Sequence, residues 1–211
     1  MDSLVAAAIH DAKNALNALN AWLTQAKRDC PSPALDQAEA VAGRVSAQLV
    51  ELLALYRADQ GTLRLAVEDQ YLEDFVADVM AELGPAADNR IAVTTDFAAA
   101  AELGSWAFDA YQVKFVLLDA LRNARRHAAA RVCFALAAEP GGGLRFTVAD
   151  DGPGFPAEIL EGGNAAMAEG SSGLGLSFAR LIAERHATPS GRHGRVELAN
   201  DGGARFSLVL P

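Results

Sequence analysis

The chain has few cysteines, few positive charges and no long apolar run. Cys30 and Cys133 are its only 2 cysteines in 211 residues. They lie far apart with no Cys or His at ligand spacing, which excludes a disulfide scaffold and gives a zinc site no support. Lys and Arg total 18 against 27 Asp and Glu, a formal charge of −9 with a pI near 4.9. Neither nucleic acid nor an anionic membrane is attracted to such a chain without a local basic patch, and the Arg/Lys clusters are too small to make one. No segment approaches the roughly 18 uncharged apolar residues that a bilayer crossing needs, and residues 1–10 lack the basic start and apolar core of a signal peptide. A soluble, cytoplasmic protein with no membrane or nucleic-acid partner is expected. What is present is a hydrophobic fraction of 51%, enough for one medium domain or two small ones with real cores.

Helical periodicity dominates the first third. Ile9, Ala12, Leu16, Leu19, Leu23 and Ala26 recur at spacings of three and four, like the a and d positions of a coiled coil. This helix stops at Cys30-Pro31-Ser32-Pro33, where Ser32 can cap and Pro33 can open the next one. A second stripe runs through Ala38, Ala42, Val45, Leu49, Leu52 and Tyr56, so residues 1–60 form an antiparallel helical hairpin. One narrow apolar seam per helix cannot be buried within a single hairpin, and a homodimeric four-helix bundle is the expected solution.

A second domain, residues 61–211, begins where Leu63, Leu65 and Val67 alternate as a strand should. Further strands are expected at Ile91 to Phe97, Arg131 to Ala137, Leu144 to Asp150, Arg195 to Ala199 and Ala204 to Leu210. Helices are expected at Tyr71 to Leu83, Asp109 to Ala129 and Leu174 to His186. The fold class is α+β, with helices on one face of a mixed sheet.

Four short segments carry chemistry. His10 falls beside the seam of the first helix, with Asn14 and Asn17 on its face and Asp11 next to it. A carboxylate can hold an imidazole in one tautomer and accept its proton, leaving the other ring nitrogen as a nucleophile, although the pair alone suits an ordinary surface histidine equally well. On the predicted helix, Asn123 offers an amide oxygen to Mg²⁺ and Arg126 can meet a phosphate; a solvated basic face is the plainer reading. Asp150 at a strand end can accept from an exocyclic amine, and Gly152 and Gly154 let the backbone pass close to a ring or phosphate, or simply make a turn. Finally, Gly170 to Leu176 runs into a helix whose amides favour an anion. Each signal is weak alone; helix, strand-turn and loop-helix in this order are together specific.

In these segments the chain resembles the sensor histidine kinases. His10-Asp11-Ala12-Lys13-Asn14 is similar to their phosphoacceptor box, Asn123 and its flanks to their N box, Asp150-Asp151-Gly152-Pro153-Gly154 to the first glycine box, and Ser172-Gly173-Leu174-Gly175-Leu176 to the second. The resemblance implies a Bergerat-type ATP-binding domain behind the dimerisation hairpin. It implies that Asp150 contacts the adenine amine, that Asn123 coordinates Mg²⁺, and that Gly173 and Gly175 let a lid close over ATP. It further implies phosphorylation of His10 with Asp11 as general base, Asn14 positioning water for dephosphorylation, and transfer to the aspartate of a response-regulator receiver domain.

Departures from the family pattern are specific. Ala15 replaces a proline, Asp119 an asparagine, Arg126 a lysine and Ser171 a glycine. The segment between Gly154 and Gly170 is short, holds Glu158, Glu161 and Glu169, and has no Lys or Arg, so it repels a triphosphate. No phenylalanine box is evident in it. Nine residues precede His10, too few for a sensory domain, so a sensor protein acting in trans is expected if the chain is not a fragment. Two other readings stay open: a phosphotransfer adaptor with a degenerate nucleotide site, and a Bergerat-fold ATPase or serine kinase that uses the hairpin only to dimerise.

Overall fold

The computed structural model describes residues 2–84, 91–161 and 173–211, excepting the side chains of residues 2–10 and 13. The chain forms two compact units, Met1–Leu63 and Arg64–Pro211. No helix among the described residues is long and apolar enough to cross a membrane.

The first unit is a pair of helices, α1 (Asp2–Asp29) and α2 (Pro33–Asp59). The Ser32 hydroxyl accepts the Leu35 N–H at 3.3 Å, and Pro33 occupies the first turn, where no partner for its missing N–H is needed. Such a cap contributes about 1 kcal/mol. Near the connector, Glu39 accepts from Thr24 at 3.0 Å and pairs with Lys27 at 3.0 Å, while Lys27 also meets Asp36 at 2.7 Å, fixing the antiparallel register.

The expected apolar seams divide. Leu16, Leu23, Ala26, Ala38, Ala42 and Leu49 are buried or half-buried, whereas Ala12, Leu19, Val45 and Leu52 are exposed. Trp22 is 71% exposed and Val41 48% exposed. A heptad stripe has two edges, and one antiparallel neighbour covers only one of them. By helical spacing the uncovered residues share a face on each helix, Ala12, Leu19 and Trp22 on α1 and Val41, Val45 and Leu52 on α2.

The second unit runs β1 (Glu68–Tyr71), α3 (Leu72–Leu83), β2 (Ala92–Asp96), α4 (Ala98–Leu103), β3 (Ser105–Phe108), α5 (Ala110–His127), β4 (Arg131–Ala138), β5 (Leu144–Asp150), α6 (Ala157–Leu160), α7 (Leu174–Arg185), β6 (Arg195–Asn200) and β7 (Ala204–Leu210). The main sheet has the order β2-β4-β5-β7-β6, parallel only between β2 and β4. The strand expected at residues 63–67 is absent. Strand pairing begins only at Glu68, in a two-stranded ribbon with β3, whose existence the sequence did not announce. Leu63 is buried, Leu65 half-buried and Val67 exposed, so the alternation there does not reflect a ladder.

Alternate residues of the sheet, among them Phe134, Phe146, Val148 and Leu208, meet the apolar faces of α3, α5 and α7, which bury Phe75, Val79, Val116, Leu117, Leu121, Phe178 and Ile182. Phe75 packs edge-on against Phe108 at 4.8 Å and Phe146 at 5.7 Å. Trp106 donates its indole N–H to the Pro211 carbonyl at 3.1 Å, tying β3 to the end of the chain.

His186 ends α7 and is buried. Its Nε2 accepts the Asp109 N–H at 3.0 Å, which requires the proton on Nδ1, donated to the Ile182 carbonyl at 2.8 Å. Asp109 in turn caps α5 by accepting the Gln112 N–H at 3.0 Å and holds the Ala66 N–H at 2.8 Å. Burial pushes the His186 pKa down, against the Ile182 carbonyl and the Asp109 charge, because the fold needs the neutral ring. A depressed histidine pKa gives stability that is full above the unfolded value of about 6.5 and drains away as pH falls below it. The unfolding temperature should therefore drop between about pH 7 and pH 5, and a His186→Leu variant, less stable at neutral pH, should lose less on acidification. Equal pH slopes for the two proteins in thermal melts would contradict this.

Candidate active site

The site is assembled on the C-terminal half of α5. Asp119, Arg122, Asn123 and Arg126 follow at helical spacing on one face, while Val116, Leu117 and Ala124 are buried on the others. Asn123 donates Nδ2–H to Asp119 Oδ2 at 3.0 Å. Burial raises the Asp119 pKa, opposed by the Arg122 and Arg126 charges and by the Asn123 hydrogen bond. Arg122 and Arg126 are exposed. Arg125 is not part of a solvated face: its guanidinium donates to the Leu83 carbonyl at 3.1 Å and the Gly84 carbonyl at 2.8 Å, capping the C-terminus of α3.

The two adjacent aspartates after β5 differ. Asp150 Oδ1 accepts the Gly152 N–H at 2.8 Å and the Ala204 N–H at 3.4 Å, leaving Oδ2 without a partner among the described residues. Asp151 Oδ1 accepts the Ala130 and Arg131 N–H groups at 2.9 Å each. Those backbone donors, Ala130 first, hold its carboxyl down at about 2. Asp151 thus ties the turn to the start of β4, and Asp150 is the carboxylate with an acceptor to spare.

Gly152 lies against α5: a Cβ there would collide with the His127 carbonyl and crowd the Asp150 carboxylate. Gly154 has φ +82, and a Cβ would run into the Asn200 amide. That amide accepts the Phe155 N–H at 2.8 Å and donates to the Phe155 carbonyl at 2.9 Å, clamping the outgoing chain to the β6–β7 turn.

Gly173 adopts φ +67 at the N-cap of α7, with Gly175 in the first turn, and α7 packs on α5 through Phe115 and Phe178 at 5.3 Å. Ser171, Ser172 and Glu169 lie outside the described residues, as does the side chain of His10. Glu158 and Glu161 are exposed. The structure therefore joins Asn123, Asp150, Gly152 and Gly154 in one framework. His10, Asp11 and Asn14 belong to α1 of the other unit, where Asp11 and Asn14 are exposed.

A divalent ion here would not find a protein cage, since no group of three or more His, Cys, Asp or Glu side chains gathers among the described residues. The Asn123 amide oxygen suits Mg²⁺, which takes one or two protein oxygens and completes its shell with phosphate and water.

Residues 108–211 match the family model described as histidine kinase-, DNA gyrase B-, and HSP90-like ATPase. Among solved structures, the chain is similar to a histidine kinase AdeS of Acinetobacter baumannii, at 18% identity over 92% of this chain and 94% of that one, with a TM-score of 0.63. Full-length ShkA, in a structure with AMPPNP, matches over 100% of this chain but 46% of its own length, at 19% identity and a TM-score of 0.70. The catalytic domain of histidine kinase ThkA matches over 70% of this chain and 96% of that one, at 18% identity and a TM-score of 0.53. At these identities the likeness is one of fold. No curated protein matches the chain in sequence.

Because the α5 carbonyl leaves no room for a side chain at residue 152, Gly152→Ala should push the turn off α5 and lower the unfolding temperature, with a loss of about 1 to 3 kcal/mol typical of overpacking. Gly43→Ala offers a comparison: like Gly152 it has no left-handed φ, but a Cβ there meets nothing within 4 Å. A loss at Gly152 no larger than the change at Gly43 would mean that the approach to α5 is unimportant.

Proposed function

We propose that the chain, whose residues 108–211 match the model of histidine kinase-, DNA gyrase B- and HSP90-like ATPases, is a histidine kinase of two-component signalling. It transfers the γ-phosphoryl of ATP to His10 and then to an aspartate of a response-regulator receiver domain. The observation that carries this reading is the pairing, on one framework, of an acceptor-bearing strand-end carboxylate at Asp150 with an amide at Asn123 whose oxygen is turned away from its own helix partner. Asp150 Oδ2 accepts from the adenine amine, and the glycine turn lets the base approach. Asn123 would hold the Mg²⁺ carried by the nucleotide, which when bound neutralises phosphate charge. Gly173 and Gly175, opening α7, present backbone amides to the phosphates.

At His10, one ring nitrogen attacks phosphorus as the bond to the bridging oxygen of ADP breaks, and Asp11 takes the proton from the ring. Asn14, one turn on, orients the water that later hydrolyses the phosphorylated receiver. Residues 1–60 are the dimerisation and phosphotransfer hairpin and 61–211 the catalytic domain. The uncovered side with Leu19, Trp22, Val41, Val45 and Leu52 is where a second copy completes a four-helix bundle. Exposed Glu158 and Glu161 and half-buried Asp119 favour a second reading, an adaptor that passes phosphoryl groups through His10 without ATP.

A phosphohistidine is labile in acid and stable in base, opposite to a phosphoserine. Incubated with labelled ATP and Mg²⁺, the wild type should gain acid-labile label, His10→Ala none, and Asp11→Asn should be slower by about 10²-fold. Label appearing only from a phosphorylated receiver would establish the adaptor. Nucleotide turnover indifferent to His10→Ala would instead support an ATPase or a serine kinase.

Assembly has its own test. Light scattering should find a dimer at micromolar concentration, and Leu19→Glu should give monomers, because an unpaired charge in the bundle core is costly. A monomeric wild type would refute the bundle.

A further inference from the structure

We propose that Asp119 is a positioning residue for the metal-nucleotide complex: its carboxylate selects the orientation of the Asn123 amide. The inference rests on the reading of Asn123 as the magnesium-facing residue. An amide has one accepting and one donating end, and which way it points is set by its partners. An ionised carboxylate can only accept, so it takes the Asn123 NH₂ end and leaves Oδ1 to face outward. The observed bond, Nδ2 to Asp119 Oδ2 at 3.0 Å, has this sense.

The residue type matters here. An asparagine at 119 could accept from Asn123 or donate to it and would hold either orientation; an aspartate holds one. Arg122 and Arg126 lie on the same helix face as this pair. The carboxylate therefore does for the amide what a hydrogen-bonded carboxylate does for a metal-binding imidazole: it fixes the ligand before the ion arrives. It also adds a negative charge beside a site that must take a polyphosphate, so it should help nucleotide binding only when the divalent ion is present.

Calorimetric titration of ADP, in Mg²⁺ and again in EDTA, separates this role from simple support of the fold. Wild type should bind more tightly in Mg²⁺. In Asp119→Ala that increment should shrink about 10-fold or more, as loss of an outer-shell partner does, while affinity in EDTA stays the same or rises. In Asp119→Asn, which keeps the shape and so guards against misfolding, the increment should fall about twofold, because half of the amides then face the wrong way. Equal weakening in both buffers, or an increment unchanged in both variants, would overturn the inference and leave the kinase reading standing. A wild type that binds no ADP in either buffer would overturn both.

Discussion

The contact between Gly152 and the His127 carbonyl is the constraint on which the site depends. No side chain fits between the turn after β5 and the last turn of α5. The turn therefore seats directly on the helix, one turn beyond Asn123. From that seat Asp151 reaches the amides of Ala130 and Arg131, and the Asp150 carboxylate folds back onto Gly152. The other flank is equally close, because a Cβ on Gly203 would strike the Asp150 carbonyl. Strand end, helix end and the β6–β7 turn are thus packed directly against one another. Close packing of this kind holds the Asp150 carboxylate in place before any ligand arrives, and preorganisation lowers the entropic cost of binding.

Electrostatics pulls the other way. Phosphoryl transfer asks a protein mainly to position reactants and to neutralise charge, yet this chain carries −9 overall and has Asp119 at the centre of its arginine pair. Arg122 and Arg126 are exposed and therefore screened by salt within about 10 Å at ordinary ionic strength. Glu158 and Glu161 add repulsion. Under the proposed function, more of the neutralisation must come from the divalent ion than from the protein, which makes the orientation of the Asn123 amide consequential.

Much of this was legible in the sequence where the determinants are local. β4, β5, β7, α5 and α7 follow from period and from flanking glycines, and Asn123, Asp150, Gly152 and Gly154 announce themselves in short segments. What was not legible depends on distant partners. The β1–β3 ribbon pairs Glu68 with Phe108 across two intervening helices and a strand, so nothing near Glu68 signals it. Asn200 clamps a residue 45 positions away, and Asp151 bonds amides 20 and 21 positions away. The seams of α1 and α2 gave the apolar residues but not which of them the neighbouring helix covers, because a heptad pattern is blind to the number of neighbours.

That difference bears on how the two units are stabilised. The second unit closes a core of its own, in which Phe75, Phe108, Phe134 and Phe146 interlock at centroid distances of 4.8 to 6.5 Å. The first unit keeps Leu19, Trp22, Val41, Val45 and Leu52 in water, and helices of this kind draw most of their stability from packing, not from propensity. If a second copy covers that side, the hairpin's stability is linked to protomer concentration by mass action, whereas that of the second unit is not.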